Sequence, residues 1–166
     1  MTGEVTLSAD DLALAVAYGG GRQLHAVASG RGDSHGFTGD GWGAHIEGAA
    51  GEIAVARFMG WADWTPTIDT YQTERDLPLD IEVTTRRRHD YELIVRPRMA
   101  IESNHVLVTG VAPRFWVRGW MPSRLARRPE WWAAHGGRPG AYFVPTGALY
   151  PMDLLPRIHA ALAAAS

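Results

Sequence analysis

The sequence predicts an α+β or α/β protein built on one central mixed β-sheet flanked by helices. Three observations carry that expectation. Helical patterning opens the chain, a run of short strand patterns follows, and mixed short elements close it, the order expected of a sheet with helices packed on its faces. With 166 residues, 46% hydrophobic and 20% charged, the chain can bury one core and is too short for two, so residues 1–166 are predicted to form a single domain. No internal repeat, low-complexity tract or linker divides it.

The elements follow in order. LSADDLALAVAY reads as an amphipathic helix over residues 8–18, with the Ser8 hydroxyl as N-cap and carboxylates in its first turn, and the Gly19–Gly21 run is expected to end it. Residues 28–43 are rich in Gly, Ser and Asp and read as a surface loop, in which the Arg-Gly-Asp of Arg31–Asp33 is incidental. Gly43–Met59 is a second helix stopped by Gly60; Ile46, Ala50, Ile53 and Ala54 form one stripe, and His45, Gly48, Glu52 and Val55 its neighbour. The missing side chain at Gly48 is expected to let a neighbour approach beside Glu52. Strands are predicted over 66–70, 79–85, 92–95, 105–111 and 114–120, short helical turns over 122–132, a last strand over 141–145 and an alanine-rich helix over 153–164, with Pro156 tolerated in its first turn.

Charge is unevenly placed. Residues 1–83 hold four Arg against thirteen Asp and Glu, whereas residues 84–138 hold eleven Arg against four acids, so an anionic partner is expected at the second block. There is no lysine, which removes lysine ammonium chemistry, and no cysteine, which removes disulfides and thiolate metal sites and fits a reducing compartment. No run approaches the roughly 20 apolar residues of a membrane span, and the acidic start MTGEVTLSADD is unlike a secretory signal, so a cytoplasmic location is expected. The triple glycine lacks the Lys-Ser/Thr of a phosphate-binding loop, the histidines show no zinc spacing, and no G-x-S-x-G elbow supports a serine hydrolase.

The most informative stretch is Asp76–Arg88, DLPLDIEVTTRRR. Strand alternation puts Asp80, Glu82 and Thr84 on one face and Ile81, Val83 and Thr85 on the other. Carboxylates suit a hard divalent cation and adjacent arginines suit a phosphate, which makes Asp76, Asp80, Glu82 and the helical Glu52 candidate metal ligands; a solvated acidic face is the alternative. Arg86, Arg87 and Arg88 either discourage edge-to-edge strand pairing or, with Arg96, Arg98, Arg114, Arg118, Arg124, Arg127 and Arg128, line a phosphate groove in which Trp116, Trp120, Trp131 and Trp132 stack on bases.

The helical glutamate in GAAGEIAVARFMGW, the aspartate and acidic strand in RDLPLDIEVTTRRR, and the LIV and HVLVTGV segments after them together resemble the PD-(D/E)xK nuclease-like fold. From about Trp42 to Leu155, through HDYELIVR, FWVRGW, RRPEWW and AYFVPTGAL, the chain resembles small phage and prophage proteins of that superfamily, over about two-thirds of its length. The resemblance implies a restriction-endonuclease-like core over roughly 42–155 with the helix 8–18 packed on it, a metal-dependent nucleic-acid phosphodiester hydrolase, and a place in a bacterial host's cytoplasm. It assigns Mg²⁺ or Mn²⁺ to Glu52, to Asp80 or Asp76, and to Glu82. Arg86 would stabilise charge on phosphorus, and Arg87, Arg88, Arg96, Arg98, Arg118, Arg127 and Arg128 would hold nucleic acid, DNA ahead of RNA. The family's lysine is missing: the triplet is Glu82-Val83-Thr84, and Arg86, whose pKa exceeds about 12, cannot shuttle a proton. Two functions therefore stay open, a metal-dependent nuclease and a degenerate nuclease-fold protein that binds nucleic acid or a host protein. A homo-oligomer built on exposed tryptophans is a third possibility.

Overall fold

The computed structural model describes residues 2–30, 40–68 and 76–164. The Arg-Gly-Asp segment and the end of the strand expected over 66–70 lie outside them; residues 66–68 are not in a strand. The chain mixes α and β structure, with helices flanking a mixed sheet and a separate antiparallel sheet. Two sheets form where the sequence suggested one.

Helix α1 (Ala9–Ala28) starts at the expected cap: Ser8 Oγ accepts from the Asp11 amide at 3.1 Å, and the Asp11 carboxylate accepts from the Ser8 amide at 3.1 Å. It then runs straight through Gly19–Gly21. The glycines are there for close packing: a Cβ on Gly19 would lie 2.5 Å from the Ile46 Cα, and one on Gly21 3.0 Å from Ile68. Helix α2 (Gly41–Phe58) begins two residues earlier than its pattern suggested, because Asp40 Oδ1 accepts from the Trp42 amide at 3.0 Å. Every residue from Ala49 to Ala56 is buried, which marks a helix covered on all sides. α1 covers one side and a sheet the other.

That sheet has four strands in the order β1 (Gly3–Thr6), β5 (Arg114–Pro122), β4 (Asn104–Val111) and β2 (Ile81–Arg86). β1, absent from the sequence reading, pairs antiparallel with β5; β4 pairs antiparallel with β5 and parallel with β2. Ile81, Val106, Val108, Phe115, Val117 and Trp120 point towards α2 and form the main core with Ile53, Ala54 and Leu155. The opposite face carries Leu107 and Met121 and is covered by β3 (Leu93–Val95), β7 (Ala141–Val144) and β6 (Trp132–Ala133). Each large apolar side chain so buried contributes on the order of 1.5–3 kcal/mol. The short helix α3 (Ser123–Ala126) and the 3-10 turn Pro129–Trp131 fall where helical turns were expected, and α4 (Leu155–Ala164) closes the fold with Pro156 in its first turn.

Candidate functional site

Two constellations lie about the four-stranded sheet. On the helical face, Glu52 of α2 is 5% exposed and both its oxygens are taken by one guanidinium: Arg22 of α1 donates from Nη1 at 2.6 Å and from Nη2 at 2.8 Å. Arg22 Nε also donates to the Thr67 carbonyl at 2.7 Å. Asp76 joins them electrostatically, and its Oδ2 accepts from the Val83 amide at 2.8 Å, which anchors the segment leading into β2. One cation thus faces two carboxylates, Glu52 buried and Asp76 half-buried. Burial, with Asp76 adding to it and Arg22 opposing, pushes the Glu52 carboxyl up to about 7, and burial raises Asp76 against the Val83 amide and Arg22.

The strand face expected to be acidic carries Glu82 and is partly buried. Thr85 points at α2, where a Cβ on Gly51 would overlap its hydroxyl, so Ile81, Val83 and Thr85 share the α2 side. Glu82 and Thr84 consequently face the second sheet: Thr84 Oγ1 donates to the Ile94 carbonyl at 3.4 Å, and Glu82 stands in register with His105 of β4. Asp80 lies in a left-handed turn with Leu79, at φ 55° and 63°, and its carbonyl accepts from the Asn104 amide at 2.8 Å. The structure therefore brings Glu52 and Asp76 together and sets Glu82 on the far side of the sheet. Among the described residues no three His, Asp or Glu side chains are grouped to hold a metal ion. Glu52 is committed to Arg22 and Glu82 lies on the opposite face, so these two predicted ligands do not share one shell. Nor does Gly48 admit a neighbour: nothing lies within 4 Å of where its Cβ would be, and the close approach falls at Gly51.

Around the sheet the arginines divide by role. Arg127 is structural, donating from Nη2 to the Met99 carbonyl and to Ser123 Oγ. Arg86 stacks over Tyr91 at 4.4 Å; burial lowers its pKa, Tyr91 and Glu92 oppose that, and Arg96 and Arg138 add to it. Arg87 pairs with Glu47 of α2, and Arg88 with Asp90 at 2.6 Å while lying over Tyr91. Arg128 stacks on Trp131 at 4.8 Å. Arg98 and Arg114 are exposed, and Arg96 and Arg118 partly so. Of the tryptophans offered for base stacking, Trp120 is core, 1% exposed and donating from Nε1 to the Pro151 carbonyl. Trp116 is half-buried beside His89, and Trp132 is exposed against Tyr142.

Arg22 is the residue the sequence reading missed. Its signal was present: Asp11, Ala15, Gly19, Arg22 and Ala26, at helical spacing, form the buried stripe of α1, so Arg22 stands among small residues on a packing face. Among the described residues no helix is long and apolar enough to cross a membrane. Compared with protein-family models, curated proteins and solved structures, the chain matches none.

Proposed function

We propose that this chain binds nucleic acid through the arginine and aromatic side chains at one end of the four-stranded sheet, on a nuclease-like core whose carboxylate cluster serves stability. The observation that carries this reading is the bidentate Arg22–Glu52 pair: the helical glutamate that a nuclease would offer to metal is closed by a guanidinium inside the core. The helix α2 lying on the parallel β2–β4 pair, with Asp76 just before β2, supports the PD-(D/E)xK-like description of that core. Arg86, with Arg96 and Arg138 near it, Arg87 and Arg114 supply the phosphate-neutralising charge. The test is fluorescence anisotropy with labelled DNA in EDTA. Binding that weakens steeply with salt is expected, and no binding at low salt would refute the proposal.

A second reading, metal-dependent phosphodiester hydrolysis, is favoured by one fact: Glu52 and Asp76 are close enough for each other's charge to be felt. Incubation of plasmid DNA with the protein and Mn²⁺ tests it. Cleavage lost in both Asp76→Asn and Glu52→Gln, with each variant folded, would establish it over the binding reading.

A further inference from the structure

A cleft of about 420 Å³ opens where the chain leaves β2 and the β4–β5 hairpin turns. Small-molecule sites run from roughly 300 to 1,000 Å³, so it suits one nucleotide and not a duplex. Arg87, His89, Gly110, Pro113, Arg114 and Trp116 are among its lining residues. Trp116 is opposite Thr109 of β4, itself in register with Arg86 of β2, and on its other side opposite Glu4 of β1, so the indole stands within a defined cross-strand row. His89 braces it: the rings meet edge to face at 4.5 Å, and His89 Nδ1 lies 3.0 Å from Thr109 Oγ1. Gly110, at φ 121°, keeps the space beside the indole clear, since a Cβ there would be 3.3 Å from Trp116 and 2.5 Å from the Arg114 carbonyl.

We infer that this cleft holds one unpaired nucleotide of a single strand, with its phosphate on Arg87 and Arg114 and its base against Trp116. The inference rests on the nucleic-acid reading above. A braced aromatic ring beside two guanidinium groups is the equipment of single-strand recognition, in which any unpaired base offers a face to stack while cations follow the backbone. A paired base is already stacked on both sides and offers none. Arg87 is 68% exposed and held at the surface by two hydrogen bonds to Glu47, so a phosphate competes with that carboxylate for the guanidinium.

The experiment is anisotropy of the full chain with labelled oligothymidylate, its duplex and polyglutamate, in EDTA across a salt series. Oligothymidylate should bind best. Arg114→Ala, at an exposed position, should weaken it several-fold and lower the salt slope by about 0.7. Trp116→Leu should cost about 5- to 150-fold while Trp116→Phe keeps most of the affinity. Glu47→Gln should tighten binding by up to about fivefold by releasing Arg87. Circular dichroism confirms that each variant is folded, and the Arg114 and Glu47 variants decide the matter if a Trp116 variant is not. Binding that is untouched by Arg114→Ala and Glu47→Gln overturns the inference and leaves the broader reading standing. Equal affinity for polyglutamate, or tighter binding of duplex, also overturns it. Failure of the wild-type chain to bind either nucleic acid removes the broader reading as well.

Discussion

Replacing Arg22 with methionine keeps the apolar stem and deletes the guanidinium from a site where it is 6% exposed. Three hydrogen bonds go with it, two to Glu52 at 2.6 and 2.8 Å and one to the Thr67 carbonyl at 2.7 Å. Removing one partner of a buried pair costs about 3–5 kcal/mol, because the other is left charged and dry. Here two carboxyls lose their cation, so the cost depends on pH. In the wild type burial pushes the Glu52 carboxyl up to about 7. A folded-state value above the unfolded one means that its stabilisation is complete below about 4.5 and is lost as pH rises through 7, at most about 3 kcal/mol in all. Without Arg22 both carboxyls titrate higher still, and the loss extends to higher pH. Urea unfolding followed by tryptophan fluorescence should therefore show Arg22→Met destabilised by about 3–5 kcal/mol at pH 8 and by distinctly less at pH 5. Glu52→Gln should flatten the wild-type decline between pH 5 and 7. A cost under about 1 kcal/mol at pH 8, or one equal at both pH values, would refute the reasoning.

Gly19→Ala places a methyl 2.5 Å from the Ile46 backbone, so it should lower stability by about 1–3 kcal/mol in thermal or urea unfolding, against the small gain expected of alanine in an open helix. Thr85→Val should be neutral or stabilising by up to about 1 kcal/mol by the same measurement, since among the described residues the buried Thr85 hydroxyl has no hydrogen-bond partner. Trp120→Phe should destabilise by unfolding assay and leave DNA affinity alone, because the indole is core and donates to Pro151.

Local chemistry was readable where the sequence alone determines it. Ser8 and Asp11 close a capping box, Pro156 sits in a first turn, and the alternation in β2 correctly separates Ile81, Val83 and Thr85 from Glu82 and Thr84. What alternation cannot supply is the layer covering each face. Alternation puts Glu82 on an acidic face and offers it to a metal with Glu52, but the second sheet lies on that side and Glu52 belongs to the other. The glycines misled for a related reason. Gly19–Gly21 looks like punctuation along the chain, and only the crossing of α1 over α2 makes it a contact surface. The same crossing supplies Arg22 to Glu52 across 30 residues of sequence, a pairing no local pattern encodes. Strand β1 is four residues long and pairs with a strand more than a hundred residues later, so it carries little local signal.

Arg22 closes the carboxylate cluster, and we propose that the arginine end of the sheet holds nucleic acid without metal. One measurement bears on it most directly: anisotropy of labelled single-stranded DNA, in EDTA and again with Mn²⁺, with the probe then run on a denaturing gel. The same affinity in both conditions and an intact probe are expected. Binding that requires Mn²⁺, or a probe cut in its presence and spared by Glu52→Gln, would contradict it.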